Sequence, residues 1–460
     1  MYIEQIYTGC LAEAAYYIES NGEAAIIDPL RETAPYIELA AKRNAKIKYV
    51  FETHFHADFV SGHVDLAKKT GALIVFGPTA ETGFESLIAH DDEEFKIGDI
   101  RLKVLHTPGH TMESSCYLLI NESGKEHALF SGDTLFVGDV GRPDLAIKSN
   151  LTREDLAALL YKSLNEKIKV LADDVILYPA HGAGSACGKN IGKETFSTIG
   201  IQKKMNYALQ VMSEQDFVKS VTEGLTAPPK YFFMDAVLNK QGYENIDDVL
   251  TKNTKALSVE EFDAMSKLDV LILDTRTPGE YESGTIENAI NIGLDGQYAP
   301  WVGALLDAKK PLILITNEGK ETEAVLRLAR IGYENVKGFL KGGVAAWKQA
   351  EKKIEITSSI NADEFAQSID TKKIIDVRNP GEWNNGVIEN AQLIALGNLE
   401  NQMPTLNKNE HYYVHCAGGY RSMMAVSLLK KNGFKNITNV RGGIAKISEA
   451  FVPLVQPVFL

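Results

Sequence analysis

Six side chains at four places could bind a metal ion. They are His54, His56 and Asp58 in ETHFHAD, His110 in TPGH, Asp133 in SGD and His181 in YPAH. Imidazole nitrogen and carboxylate oxygen are ligands of iron, zinc and manganese. A single His-x-His is weak, because alternation along a strand or loop produces it by chance. Each histidine could also simply hydrogen-bond a loop carbonyl. Four such loops in succession make that plain reading a poor one. A second chemistry is written in HYYVHCAGGYRS. An apolar run delivers Cys416 to the loop Ala417, Gly418, Gly419, which leads through Tyr420 and Arg421 straight into a helical segment. A thiol there faces consecutive backbone N–H groups and a helix start, and both stabilise a thiolate or a bound persulfide. Arg421 can add charge or fix the loop. A buried inert thiol is the plainer alternative, and a loop that begins a helix suits it badly. Cys187 lies in HGAGSACGKN, a glycine-rich loop six residues after His181. It either contacts or carries sulfur near the metal rim, with Lys189 favouring its thiolate, or it is a small buried hydrophobe.

Elements must exist to hold these groups. IKYVFET, IRLKVLHTPGH, HALFSGD and DVILYPAH each read as a buried strand ending in a short loop that carries His or Asp. Between them, VDLAKKTGA and REDLAALLYKSLNE read as helices, and the alternation predicts a layered α/β domain. If the strands are neighbours, their loops gather the ligands on one rim. This domain is expected over residues 1–252, closing with TAPPKYFFMDAVLNKQGYENIDDVLTKN.

The remainder repeats itself after about one hundred residues. LILDTRTPGEYESGTIENAINI recurs as KIIDVRNPGEWNNGVIENAQLI, so that Asp274 answers Asp376 and Glu280 answers Glu382. Further on, Gly342 answers Gly442. Each copy is long enough for its own core, which predicts two α/β domains, at 255–352 and 356–460. At the place of Cys416 the first copy has Asn317, which cannot carry a persulfide. Glu318 and Glu321 make that loop acidic, so the copy is expected to serve as a spacer or interface.

The chain has 460 residues, 48 basic and 61 acidic, for a net charge of −13. With no basic stripe, nucleic-acid binding is not expected. Four cysteines without a CxxC pair argue against a disulfide scaffold and for a reducing cytoplasm. The start, MYIEQIYTGC, lacks the pattern of a signal peptide, so Cys10 reads as core rather than as a lipidation site. Cys116, on an apolar strand, reads as core too. No apolar run approaches a membrane span, and no membrane partner is expected.

THFHAD, TPGHT, SGDTLF and YPAHG together resemble the motif series of the metallo-β-lactamase superfamily. ETHFHAD and GDTLFVGDVGRPDL are similar to its persulfide dioxygenase branch. The second repeat, with DVR before the cysteine loop and GG after it, resembles rhodanese, a sulfurtransferase. The resemblance implies a metallo-β-lactamase αβ/βα sandwich followed by two rhodanese-like α/β domains. It also implies one Fe(II) per chain, held by His54, His110 and Asp133. Two histidines and one carboxylate leave open positions for O₂ and a sulfur substrate. In dinuclear relatives such as glyoxalase II, a second metal takes Asp58, a histidine at position 59 and His181, with Asp133 shared. Here position 59 is Phe59, which has no lone pair, and persulfide dioxygenases generally keep the histidine. His56, Asp58, Phe59 and His181 are then expected around the iron rather than on it.

The implied activity is oxidation of a low-molecular-weight thiol persulfide to sulfite with O₂. Cys416 would pass sulfur from another persulfide to sulfite, giving thiosulfate and detoxifying sulfide. A homo-oligomer is expected. Two rivals are a glyoxalase II-like thioesterase with accessory sulfur-carrying domains, and a persulfide sensor without catalysis. Metal identity separates the first, and oxygen uptake with persulfide the second.

Overall fold

The computed structural model describes residues 1–145, 151–225, 227–367 and 369–457; the last three residues of the range 356–460 lie outside them. The chain divides into two compact units. The first is Met1–Val249 with Leu328–Tyr333, and the second is Leu250–Arg327 with Glu334–Leu460.

The first unit is built on two six-stranded sheets. One contains, in spatial order, Tyr2–Thr8, Glu13–Ser20, Glu23–Ile27, Lys46–Glu52, Leu73–Phe76 and Leu87–Ile88. The other orders Ser197–Thr198, Ile176–Pro179, Glu126–Gly132, Ser115–Ile120, Ile100–His106 and Glu94–Ile97. Successive side chains on a strand point to opposite faces, and EAAYYIES shows the consequence. Ala14, Tyr16 and Ile18 join Phe51, Leu102, Tyr117 and Phe130 in the core between the sheets. Ala15 and Tyr17 face the other way, into a core shared with Tyr36, Ala40 and Leu66 of the helices Ala34–Lys42 and His63–Thr70. The second sheet is covered likewise by Arg153–Ser163 and Glu214–Thr222 through Ala157, Leu160 and Phe217. Strands buried on both faces read as near-continuous apolar runs, which is why IKYVFET and HALFSGD look as they do. The predicted four-layer sandwich is therefore present.

In the second unit the repeat is structural. Two five-stranded sheets share one order. The first is Ala256–Leu257, Val336–Leu340, Leu312–Ile315, Leu271–Asp274, Ile290–Asn291. The second is Ser358–Ile360, Ile437–Val440, Tyr412–His415, Lys373–Asp376, Gln392–Leu393. The recurring sequence marks have local physical reasons. Glu280 and Glu382 close capping boxes with Thr277 and Asn379 at the start of short helices. Asp274 and Asp376 each hold, two residues on, a guanidinium, that of Arg276 or Arg378. Gly342 and Gly442 both have φ of +74°, a left-handed turn into the following helix that glycine adopts without strain.

All four cysteines are free thiols. No helix among the described residues is long and apolar enough to cross a membrane.

Candidate functional site

The strands Ile100–His106, Glu126–Gly132 and Ile176–Pro179 run in one direction, since the first two are each antiparallel to Ser115–Ile120 and the last pairs parallel with the second. Their loops bring His110, Asp133 and His181 to one edge, where the end of Lys46–Glu52 adds His54, His56 and Asp58. One donor atom from each of His54, His110 and Asp133 lies within 4.8 Å of the others. His54 Nε2 is 3.8 Å and His110 Nε2 is 3.4 Å from Asp133 Oδ2. All three residues are buried.

Each imidazole is turned by a partner on its other nitrogen. The Thr53 hydroxyl donates to Asp28 Oδ2 at 2.8 Å, which leaves its oxygen to accept from His54 Nδ1 at 3.0 Å. His110 Nδ1 donates to the Arg142 carbonyl at 2.8 Å. Both Nε2 lone pairs therefore face Asp133, the arrangement of metal-binding histidines. Burial, reinforced by the neighbouring His56, His110 and His181, holds His54 well below the usual imidazole range, so the ring is a neutral donor. His54 Nε2, both Asp133 carboxylate oxygens and His181 Nε2 have no hydrogen-bond partner among the described residues although they are buried. Buried polar atoms left without partners are costly, and a metal ion supplies what they lack. The residues fit a metal.

The Asp28–Thr53–His54 relay can be tested directly. Thr53→Val keeps the side-chain shape and removes the hydroxyl. Metal affinity is expected to fall about 10–100-fold, the usual cost of losing an outer partner of a metal ligand. Chelator competition on the folded variant measures it, and an unchanged affinity would show that the relay does not orient His54.

Phe59 is fully buried, with its ring 4.3 Å from that of His56 and tilted 32° to it. His56 Nε2 lies 3.1 Å from Asp28 Oδ1 and 3.5 Å from Glu52 Oε2. Burial alone would favour the neutral His56 ring, but Asp28, Glu52 and Asp58 outweigh it and carry its pKa to about 10. His56 thus sits among carboxylates, and it also offers a donor atom within 4.8 Å of those of Asp58 and His181. Asp58 and His181 face each other, Oδ2 to Nε2, at 3.4 Å. Burial raises the Asp58 carboxyl above its usual range. Asp28 and Thr53 were not singled out in the sequence. The sign was there for Asp28: AIIDP is one more apolar run that ends in an acid.

Cys187 belongs to the same rim. Its sulfur groups with Asp133 and His181 donor atoms within 4.8 Å, and its carbonyl accepts from the Arg142 N–H at 2.9 Å. The thiolate expected from Lys189 does not follow. Lys189 Nζ reaches away to the carbonyls of Ser220 and Glu223. Burial, with Asp58 and Asp133 adding, pushes the Cys187 thiol well up. The reason is that Lys189's backbone follows the loop while its side chain caps a helix end.

The strand Tyr412–His415 delivers Cys416, buried, to the start of the helix Tyr420–Lys431. The Gly419 N–H donates to Cys416 Sγ at 3.1 Å, and the Cys416 carbonyl accepts from Ile444 at 2.7 Å. Of the two roles open to Arg421, the structure shows the fixing one. Its guanidinium makes two hydrogen bonds to Glu382, at 2.5 and 2.7 Å. In the first repeat Asp274 pairs with Ile315 as Asp376 pairs with His415, so the residue in the place of Cys416 is Thr316 and not the expected Asn317, which follows it. Threonine cannot carry a persulfide either, and both residues line a cavity of about 340 Å³ with Thr275 and Lys320.

The chain matches the metallo-beta-lactamase superfamily over residues 8–181 and the rhodanese-like domain twice, over 258–350 and 361–450. A metallo-beta-lactamase from Staphylococcus aureus subsp. aureus COL, of known crystal structure, is 33% identical with a TM-score of 0.65. The likeness covers 74% of this chain and 98% of that one. Two probable hydroxyacylglutathione hydrolases of Schizosaccharomyces pombe are similar. One is 32% identical over 40% of this chain and 68% of its own. The other is 30% identical over 38% of this chain and 66% of its own. The chain thus spans about two thirds of the length of these curated relatives.

Proposed function

For a chain that belongs to the metallo-beta-lactamase superfamily and carries two rhodanese-like domains behind its metal domain, we propose persulfide oxidation coupled to sulfur transfer. The first reaction is RSSH + O₂ + H₂O → RSH + SO₃²⁻ + 2 H⁺, for a low-molecular-weight thiol persulfide. The second is RSSH + SO₃²⁻ → RSH + S₂O₃²⁻, with Cys416 carrying the sulfur between donor and sulfite. Two imidazoles and a carboxylate, with Phe59 where a further histidine donor would stand, carry the reading, because that set suits one ferrous ion and leaves coordination positions free. A bound ferrous ion would supply the reactivity toward O₂ that no side chain has.

The chain's own residues do the rest. His54, His110 and Asp133 hold the metal, and Thr53 and the Arg142 carbonyl orient the two rings. Phe59 withholds the donor that a second ion would need and keeps the rim dry. Cys187 lies close enough to Asp133 and His181 to touch a sulfur substrate. Burial and the fixed Gly419 N–H suit Cys416 to hold a persulfide in place of a thiolate. Joining both sites in one chain keeps sulfite at high local concentration. We place this chemistry in the cytoplasm, with the chain forming a homo-oligomer.

Metal analysis of protein purified without chelator is the test, together with oxygen uptake on adding a persulfide. One iron per chain and uptake are expected; two zinc ions per chain and no uptake would overturn the proposal. Phe59→His restores a nitrogen donor and should raise the metal content above one ion. An unchanged content in the folded variant would show that something other than the ring closes the second position. The names of the Schizosaccharomyces pombe relatives favour a second reading, a thioesterase acting on a glutathione thioester. Hydrolysis of such a thioester without oxygen uptake would establish it.

A further inference from the structure

The loop that carries Cys416 is rich in glycine, and Gly419 sits at φ +106°. Such a loop has wide conformational freedom and needs anchors at both ends if one N–H is to stay on the sulfur. Its first end is held within its own repeat, by the hydrogen bond from Ile444 to the Cys416 carbonyl. Its second end is Tyr420, directly after Gly419, and this side chain leaves its own repeat. The Tyr420 hydroxyl donates to the Gly293 carbonyl of the first repeat at 2.6 Å. The ring lies so close over Gly296 that a Cβ there would stand 2.5 Å from it.

The receiving loop is itself fixed. Arg327, nearly buried, donates to the Leu294 carbonyl at 2.5 Å and to the Gly296 carbonyl at 3.0 Å. Two turns along the Cys416 helix, Ser427 Oγ accepts from the Asn291 N–H at 3.0 Å. Residues seven apart share a helix face, so Tyr420 and Ser427 form one seam against the segment 291–296. That segment belongs to the repeat that has Thr316 in the place of the thiol.

We propose that Tyr420 is a positioning residue for Cys416 and that the thiol-less first repeat is its platform. The Tyr420–Gly293 hydrogen bond and the Tyr420–Gly296 contact hold the loop whose Gly419 N–H meets the sulfur. The inference rests on Cys416 being the sulfur carrier. It gives the first repeat a task in transfer beyond spacing.

The test uses the full chain. Tyr420→Phe removes only the hydroxyl. Gly296→Ala leaves the cysteine loop untouched and presses a methyl on the ring from the other repeat. Two quantities are read: the single-turnover rate from Cys416 persulfide to sulfite, and the pH profile of Cys416 alkylation by iodoacetamide, followed on its peptide by mass spectrometry. Both variants should slow transfer about fivefold, the worth of one hydrogen bond, and move the alkylation profile to higher pH. Loss of packing alone would change neither quantity in protein that stays folded. In a Tyr420→Ala background, Gly296→Ala should add nothing, because there is no ring to meet. Wild-type rates and profiles in both single variants would overturn the proposal, as would effects that simply multiply in the double variant. If Tyr420→Phe does not fold, Gly296→Ala and its double variant decide alone. Failure of the sulfur-carrier reading looks different: the wild-type chain would then transfer no sulfur through Cys416, while the alkylation comparison would still decide the positioning role.

Discussion

His54→Ala is expected to lose bound metal and oxygen uptake together. The variant leaves His110 and Asp133, two donors where three converge within 4.8 Å. Losing a mere outer partner of a ligand costs about 10–100-fold in affinity, so losing the ligand itself should cost more than about 10²-fold. The fold should survive, because His54 meets Thr53, His56, His110 and Asp133 at the rim, and the sheets pack through other residues. Thiosulfate should still form when sulfite is supplied, since Cys416 lies in the other compact unit. Elemental analysis and an oxygen electrode read the outcome. A folded variant that keeps its metal at wild-type content would point instead to the neighbouring group of His56, Asp58 and His181.

Cys416→Ser is expected to stop sulfur transfer, by about 10³-fold or more, while oxygen uptake continues. Serine replaces a polarizable nucleophile by a hydroxyl that ionises far less readily. The Gly419 N–H that meets the sulfur would then face an oxygen unable to carry sulfane sulfur. Oxidation of persulfide should go on, and the product should change from thiosulfate to sulfite. Ion chromatography of the products decides it, after correction for the uncatalysed reaction. Loss of oxygen uptake in a metal-loaded variant would place Cys416 upstream, as a donor of sulfur to the metal site. Thiosulfate at the wild-type rate would remove the second repeat from the reaction.

The two outcomes together separate the sites. If they come out as stated, sulfite is made in one unit and consumed in the other. The first repeat then has no reaction of its own, in keeping with Thr316 in the place of the cysteine and the acidic Glu318 and Glu321 in the same loop.

Much of this was legible before any coordinates, and for a local reason. Apolar runs that end in His or Asp state both a strand and what its end offers, as HALFSGD does for Asp133. The repeat was legible because capping boxes, Asp–Arg pairs and left-handed glycines are short-range devices that need the same residues each time. The absence of a thiol from TNEGK and of a donor at Phe59 are likewise facts of sequence, although only the strand register shows that Thr316 rather than Asn317 stands in the place of Cys416. What each side chain faces was decided only by the tertiary structure. Asp28 reaches Thr53 across 25 residues and so turns His54. His56, two residues after His54, faces Asp28 and Glu52. Lys189, two residues from Cys187, bonds elsewhere. Tyr420 finds its acceptor 127 residues away, in another repeat. Periodicity and turn chemistry act over a few residues, whereas these partners meet only once sheets and helices have packed, so no local pattern encodes them.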